Sequence, residues 1–429
     1  MRMHAGVSHS ISRRHPPAHA MSPENQEPLA DPASRLRQRG SNQVGMRQFN
    51  ERVVLQALRA HGPAPKAALA RLTGLTAQTI GLITARLDED GLLVRQSPVR
   101  GRVGQPSVPL GLNPDGAFAI GIKVGRRSTD WLLVDFTGKV RQRIVLNYPF
   151  PDAALLLPAI ESNLQQLLDG LGSLRDRVVG VGVAAPIQLG GWHRMLGLTD
   201  AQSQAWNDID LGAQVQKMTG LPVSFAKDTT AACVAELLQG QGRDIPSYLY
   251  LFLDTFIGGG LVIHSHLHRG QSGNAGAVAS MPLNVARAGE GVPPQLVSQA
   301  SLWDLEQRFR EHALEPMAAY DERAMHAPWL SHTQEWMARA AMALAHCIVS
   351  GTAFLDLDAV VVDGVVAPGL LRSLLAQTRD ALKAYNIEGL QTLPRLEIGS
   401  IGSDARALGG ALLPLHASFA PDRDIFLKV

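Results

Sequence analysis

Soon after Gly45 the apolar residues begin to recur with a helical period. Val53, Val54, Ala57 and Leu58 form one stripe that stops at His61-Gly62-Pro63, which predicts a first helix. A second, short helix is expected from about Pro65, with Ala68, Leu69 and Leu72 turned inward. Gly74 and Leu75 make a tight turn, and Thr76 suits the cap of a third helix in which Ile80, Ile83 and Leu87 repeat. Two helices around a short Gly-containing turn predict a helix-turn-helix. Asp90-Gly91 ends the third helix. Leu92-Leu93-Val94 and then Val108, Leu110 and Leu112 flank the basic stretch Arg100-Gly101-Arg102-Val103-Gly104-Gln105-Pro106, so two short strands and a wing are expected.

Beyond Asn113-Pro114-Asp115-Gly116 the pattern alternates between strands and helices. Strands are expected at Phe118 to Val124, Trp131 to Phe136, Val140 to Leu146, Val178 to Val183, Val223 to Ala226, Tyr248 to Leu253, Leu261 to His264, Ala359 to Val362 and near Leu396. Helices are expected at Ala153 to Leu171, Thr229 to Leu238, one long region from about Gln299 to Phe354, Leu370 to Tyr385, and from Ser403. Gly258-Gly259-Gly260 reads as a turn between two strands. This order predicts two α/β lobes around a cleft.

Composition narrows the class. The chain has 429 residues, 45% hydrophobic and 18% charged, which implies two or three packed units. Residues 1–40 hold five prolines and four histidines with little apolar clustering, so a disordered tail is expected there. No apolar stretch of about 7–15 residues near the N-terminus marks a signal peptide, and no uninterrupted apolar run reaches the roughly 18 residues of a membrane span. Cys233 and Cys347 are the only two cysteines, too few for a disulfide framework, and a reducing cytoplasm is the expected compartment.

The net charge of +2 hides a division. Between Ser34 and Leu112, twelve Arg and Lys face four acids, a surplus of eight that leaves the remainder negative. Thr76, Ala77, Gln78 and Thr79, with Thr84 further along, are therefore candidates to read base edges in double-stranded DNA. Lys66 and Arg71 would hold phosphates, and Arg100 and Arg102 would enter a minor groove. The same segment also suits a small structural or protein-binding module.

The three-helix unit, then Gly101-Arg102-Val103-Gly104-Gln105-Pro106-Ser107-Val108-Pro109-Leu110, then an α/β body, together resemble the ROK family of repressors and sugar kinases, above all its repressors of sugar metabolism. Gly180-Val181-Gly182-Val183-Ala184-Ala185-Pro186, Lys227-Asp228-Thr229-Thr230-Ala231-Ala232, Gly270-Gln271-Ser272-Gly273-Asn274-Ala275-Gly276, Gly402-Ser403-Asp404-Ala405 and Gly409-Gly410-Ala411 continue the likeness. The resemblance implies an N-terminal winged helix-turn-helix over 41–112 and, over 113–429, a two-lobed actin-like (ribonuclease H-like) body that senses a ligand and oligomerises. Two half-sites about one helical turn apart require two recognition helices, so a homodimer, or a dimer of dimers, on a symmetric operator is expected.

Departures from the family pattern carry chemistry. A family kinase needs an Asp-x-Gly-Gly-Thr turn for phosphates and magnesium, whereas this chain has Lys123-Val124-Gly125-Arg126-Arg127-Ser128. Where zinc-binding members have a Glu-Ile-Gly-His segment and a Cys-rich loop, it has Ala277-Val278-Ala279-Ser280 and Pro293-Pro294-Gln295-Leu296-Val297. No catalytic residue, metal or cofactor is therefore expected. Ala277 and Val297 stand where family members place sugar-contacting carboxylates. Lys227, Asp228, Asn274 and Ser280 are the candidate ligand-binding residues, and the added Lys227 favours a sugar acid or sugar phosphate as effector. Asp228 equally suits a helix N-cap, Lys227 equally suits a solvated or locally paired lysine, and His264, His266 and His268 suit an edge strand better than a metal. The remaining alternatives are an ATP-dependent sugar kinase with an accessory head, and a DNA-binding dimer that responds to no ligand.

Overall fold

The computed structural model describes residues 43–98, 108–187, 199–286, 289 and 291–421; the tail expected over 1–40 and the loop carrying Arg100 and Arg102 lie outside the described residues. The chain divides into two compact units, 1–49 with 422–429, and 50–421. Of the first, residues 43–49 are described and are helical. The second holds the other described residues.

Three helices come first: α1 (Gln43–His61), α2 (Lys66–Thr73) and α3 (Ala77–Glu89). Val54, Leu55, Leu58, Leu69, Ile80, Ile83 and Leu87 are buried together with Leu93 and Leu110. Gly74 adopts φ 69 at the end of α2, a left-handed conformation that favours glycine. The Thr76 side chain then accepts the Thr79 N–H at 3.1 Å and starts α3. Strands β1 (Leu93–Arg95) and β2 (Leu110–Leu112) pair antiparallel. Leu72 departs from expectation and is 47% exposed. Leu69 fills the inward line of this two-turn helix, and Leu72 in its last turn falls outside it.

The first lobe is a five-stranded sheet in the order β5-β4-β3-β6-β7. Its strands are β3 (Phe118–Val124), β4 (Ser128–Asp135), β5 (Val140–Asn147), β6 (Val178–Ala185) and β7 (Val223–Lys227). α4 (Ala153–Gly170) and α6 (Leu211–Thr219) bury Ile160, Leu164 and Val215 against one face, with Trp206 of α5 (Asp200–Asn207) beside them. α7 (Asp228–Gln239) follows β7.

The second lobe is also a five-stranded sheet, in the order β10-β9-β8-β11-β12. It comprises β8 (Tyr248–Leu253), β9 (Gly258–Ile263), β10 (His266–His268), β11 (Ala359–Gly364) and β12 (Arg395–Ile398). The glycine run thus lies inside β9 and is not the turn that the sequence pattern implied. Gly259 sits where the carbonyls of Tyr250 and Gly276 approach too closely for a side chain. The histidines belong to the edge: His266 and His268 are on β10 and His264 is in the preceding turn.

The long helical region is also broken up, into α8 (Val297–Ala300), α9 (Leu302–Glu311), 3-10 turns at Pro316–Tyr320 and Glu322–Met325, and α10 (Leu330–Leu355). Ser301 interrupts it in an extended conformation, and its hydroxyl accepts the Ile257 N–H at 2.9 Å. α10 is long and apolar enough to cross a membrane by composition. It nonetheless buries Trp336, Ala340, Leu344 and Ile348 in the core beside α11 (Pro368–Leu382).

α12 (Ala405–Phe419) joins the lobes by packing on β3, β6 and α7. That approach needs glycine. A Cβ at Gly182 would meet the Gly410 carbonyl, and one at Gly409 would meet the Ala231 carbonyl.

Candidate functional site

A cavity of about 720 Å³ opens between the two sheets, a size suited to a small ligand. Strand ends and helix starts build it. Lys123 comes from the end of β3, Arg126 and Arg127 from the β3–β4 turn, and Lys227 from the end of β7. Asp228 opens α7, Asp254 to Ile257 form the β8–β9 turn, and Asp404 and Arg406 stand at the start of α12. The segment from Asn274 to Ser280 contributes Asn274, Gly276, Ala277, Ala279 and Ser280.

On one side the charges are matched internally. Lys123 is 5% exposed and donates to Asp130 at 3.0 Å and to the Ser128 hydroxyl at 2.6 Å. Burial, and then the nearby Arg406, push the Lys123 pKa down, while Asp130 and Asp254 push back. Arg406 donates to Asp254 at 2.6 Å and faces Asp228 at 3.7 Å. Burial opposes the Arg406 charge, but Asp254 and Asp228 override it and hold its pKa above the ordinary value. The Arg126 guanidinium lies 4.7 Å from the centre of the Phe256 ring, and burial lowers its pKa to about 10 despite Asp228 and Asp254.

Arg127 crosses from the first lobe to the second. It meets Glu306 of α9 at 2.8 Å and lies over the Tyr320 ring. Glu306 is fully buried and also accepts Arg310 at 3.0 Å and the Tyr320 hydroxyl at 2.6 Å. Arg143 of β5 pairs with Asp404.

The other side differs. Lys227 is 9% exposed, and its ammonium donates to the Ala275 carbonyl at 3.0 Å and the Asn274 side-chain oxygen at 3.4 Å, both neutral. Burial lowers its pKa to about 8, against the pull of Asp228 and Cys233. Asp228 accepts the Thr229 N–H at 2.8 Å, so this carboxylate serves its own helix start while facing the cavity.

All four candidate ligand residues, Lys227, Asp228, Asn274 and Ser280, line this one cavity. Lys227 points along the wall rather than to solvent. Ala277 lines it as well, whereas Val297 is buried in the core of the second lobe, at 1% exposure. Among the described residues no group of three or more His, Cys, Asp and Glu is placed to hold a metal ion.

In the head, Thr76, Ala77 and Gln78 are exposed at the start of α3 and Thr79 is half-buried. Lys66 and Arg71 are exposed on α2. Thr84 is a correction: it is 1% exposed and its hydroxyl donates to the Ile80 carbonyl at 2.7 Å, so it cannot reach a base. Several head cations are also committed elsewhere. Arg86 pairs with Glu51 and Arg95 with Asp88. Arg52 donates to the Ala420 carbonyl at 3.3 Å, and Arg59 lies 5.4 Å from the centre of the Phe136 ring.

Residues 119–416 match the sequence model of the ROK family. The chain belongs to the ROK family. Its fold is the mixed α/β, sugar-kinase-like body of that family, with the two lobes of an actin-like architecture. This ROK protein is 23% identical over 248 residues to the xylose repressor of Bacillus subtilis. That match covers 57% of this chain and 63% of the repressor, so it spans less than two thirds of that relative. A solved ROK family transcriptional regulator, described as a homologue of the Escherichia coli MLC protein, superposes with TM-score 0.66 at 19% identity, over 89% of this chain and 98% of its own. A ROK hexokinase from Thermus thermophilus superposes with TM-score 0.51 at 22% identity, over 69% of this chain and 97% of its own. Repressor and kinase thus share this fold, and the distinction between them rests on the site.

The sequence reading of this ROK protein missed Asp254, Arg406, Asp130 and Glu306. Each is far in sequence from at least one partner, or belongs to a segment read as plain helix or turn. Only the cationic replacements at Lys123 and Arg126 signalled that compensating acids had to exist nearby.

Proposed function

We propose that this ROK protein is a cytoplasmic, DNA-binding transcriptional repressor of carbohydrate metabolism whose kinase-like body senses a small ligand. The chemistry of the β3–β4 turn carries the reading. A nucleoside triphosphate with magnesium needs open backbone amides and a carboxylate ligand. Here Lys123 is held by Asp130, and Arg126 packs on Phe256, within the same cavity. Asp228, which could otherwise take a proton from a sugar hydroxyl, lies beside Arg406 and is read as a ligand contact. The protein needs no cofactor and catalyses no phosphoryl transfer.

The head, 41–112, would present Thr76, Ala77, Gln78 and Thr79 to base edges, Lys66 and Arg71 to phosphates, and Arg100 and Arg102 to the minor groove. A homodimer, or a dimer of dimers, of the 113–429 bodies would place two heads about one helical turn apart on a double-stranded operator. The effector, a sugar or sugar derivative, would alter lobe closure and hence head spacing by binding two states unequally.

α12 supplies a route for that coupling. It starts in the cavity at Arg406 and ends at Phe419, whose ring meets Phe136 edge-on at 4.7 Å. Arg59 of α1 sits over the same Phe136 ring, and Arg243 donates to the Ala60 carbonyl at 3.1 Å. The test is a gel-shift titration with DNA fragments from the neighbourhood of its own gene, repeated with candidate sugars, alongside an ATP-turnover assay. Specific retardation relieved by a sugar, with no turnover, is expected. ATP-dependent phosphorylation of a sugar would instead make the protein a kinase with an accessory head.

A further inference from the structure

The register of the first sheet lays one row of residues across all five strands. Val145 of β5 stands opposite Asp130 of β4, and Asp130 opposite Lys123 of β3. Lys123 pairs with Ala184 of β6, and Ala184 with Ala226 of β7, the residue before Lys227. Val145, Asp130, Lys123 and Lys227 all line the one cavity. Its floor therefore crosses four strand spacings of about 4.8 Å, about 19 Å from β5 to β7. A single sugar ring fills only part of that length.

The two ends are built differently. At the β7 end stand Lys227, Asp228, Asn274 and Ser280. In the middle Lys123 is held by Asp130 and Arg406 by Asp254, so these charges are matched within the protein. At the β5 end Arg143, Val145 and Asn147 face the cavity together, as alternate residues of one strand do. Arg143 is paired with Asp404. Val145 is 44% exposed. Met317 of the second lobe is 45% exposed, and the Arg127 guanidinium donates to its sulfur at 3.5 Å. The Arg127 carbonyl accepts the N–H of Tyr148, the residue after β5, at 3.0 Å, which sets Met317 at this same end. Two uncovered apolar side chains thus border the cavity beside the Asn147 amide. A sugar ring offers apolar C–H faces and hydroxyl edges, and covering wet apolar surface is favourable.

We propose that the β5 end is a second saccharide subsite and that the effector is a disaccharide, with one ring among Asp228, Asn274 and Ser280 and the other on Val145 and Met317. This subsite rests on the ligand-sensing reading proposed for the cleft and adds the effector's size. The second ring is uncharged, because Arg143 already has its carboxylate, and one of its hydroxyls meets Asn147. A monosaccharide at the β7 end would leave Val145 and Met317 wet.

The experiment is isothermal titration of the full-length protein with glucose, xylose, maltose, cellobiose and xylobiose. At least one disaccharide is expected to bind about tenfold or more tightly than either monosaccharide. Val145→Trp, which fills the β5 end, should bring that disaccharide down to the level of its monosaccharide. Met317→Ser, on an exposed turn, should weaken it severalfold, and melting curves establish that both variants fold. Equal or tighter binding of a monosaccharide, or an unchanged disaccharide affinity in both variants, overturns the subsite. A monosaccharide that binds and releases operator DNA, with no disaccharide bound more tightly, would do so while leaving the regulator reading intact. A disaccharide preference in a protein with no specific DNA affinity would keep the subsite and remove the regulator reading. No binding of any of the five sugars would overturn both the subsite and the ligand-sensing reading.

Discussion

The head and the cleft treat their cations in opposite ways. In the cleft, Lys123 and Arg406 are buried against carboxylates, and Arg127 ties one lobe to the other through the buried Glu306. In the head, Lys66 and Arg71 stand exposed and in no ion pair among the described residues. A cation matched inside the protein fixes shape. An exposed, unmatched one remains available to a polyanion. The contrast is not complete, because Arg52 and Arg59 are engaged within the protein while Arg86 and Arg95 form surface pairs with Glu51 and Asp88.

The comparison breaks most visibly where a matched charge is removed. Glu306→Gln should lower unfolding stability by about 1 to 3 kcal/mol, read by chemical denaturation, because the partly exposed Arg127 and Arg310 lose the buried carboxylate they share. A change below about 0.5 kcal/mol would mean that the lobe contact does not depend on the charge. In the head, Lys66→Ala with Arg71→Ala should leave stability near wild type and cut DNA affinity about tenfold to a hundredfold. The slope of log affinity against log salt should become shallower by about one unit for each phosphate no longer neutralised.

Lys227 offers a pH test of the cleft. Burial lowers its pKa to about 8, against the pull of Asp228 and Cys233. An anionic effector docked on Lys227 would raise that pKa, so its binding should be flat below about pH 8 and weaken about tenfold per pH unit above it, where the ammonium has lost its proton. Titrations at pH 7, 8 and 9 measure this, and affinity rising with pH would contradict the assignment. The smallest expected effect sharpens the head. Thr84→Val should change operator affinity less than about twofold, because its hydroxyl serves the Ile80 carbonyl, whereas Gln78→Ala should cost about 1 to 3 kcal/mol at one base position.

Much of this architecture was legible in the pattern of apolar residues. Runs such as Phe118–Val124 and Tyr248–Leu253 are buried along their whole length, so their signal is continuous. Helix starts were readable where a side chain makes the cap, as at Thr76. Shorter or less apolar elements were missed. α6 buries only Leu211 and Val215, and the three-residue β10 was legible only as an edge strand at the histidines, not as a strand separate from β9. Helical periodicity across 299–354 concealed the break at Ser301, because its cause is a hydrogen bond to Ile257 on a distant turn.

The site was legible by half. Lys227, Asp228, Asn274 and Ser280 could be placed together from the motifs, and Lys123 and Arg126 announced an altered phosphate turn. Their partners could not be read, since nothing local to Arg406 points to Asp254 or Asp228. Thr84 misled because a β-branched hydroxyl on the third helix looks the same whether it faces DNA or bonds the carbonyl one turn back.

The most direct test of the account is selection of genomic fragments by the full-length protein, followed by anisotropy titration of the enriched sequence with wild type and Gln78→Ala. A two-fold symmetric site with half-sites about one helical turn apart should be enriched and bound more weakly by the variant. Enrichment of no sequence, or identical binding by Gln78→Ala and wild type at every position, would contradict it.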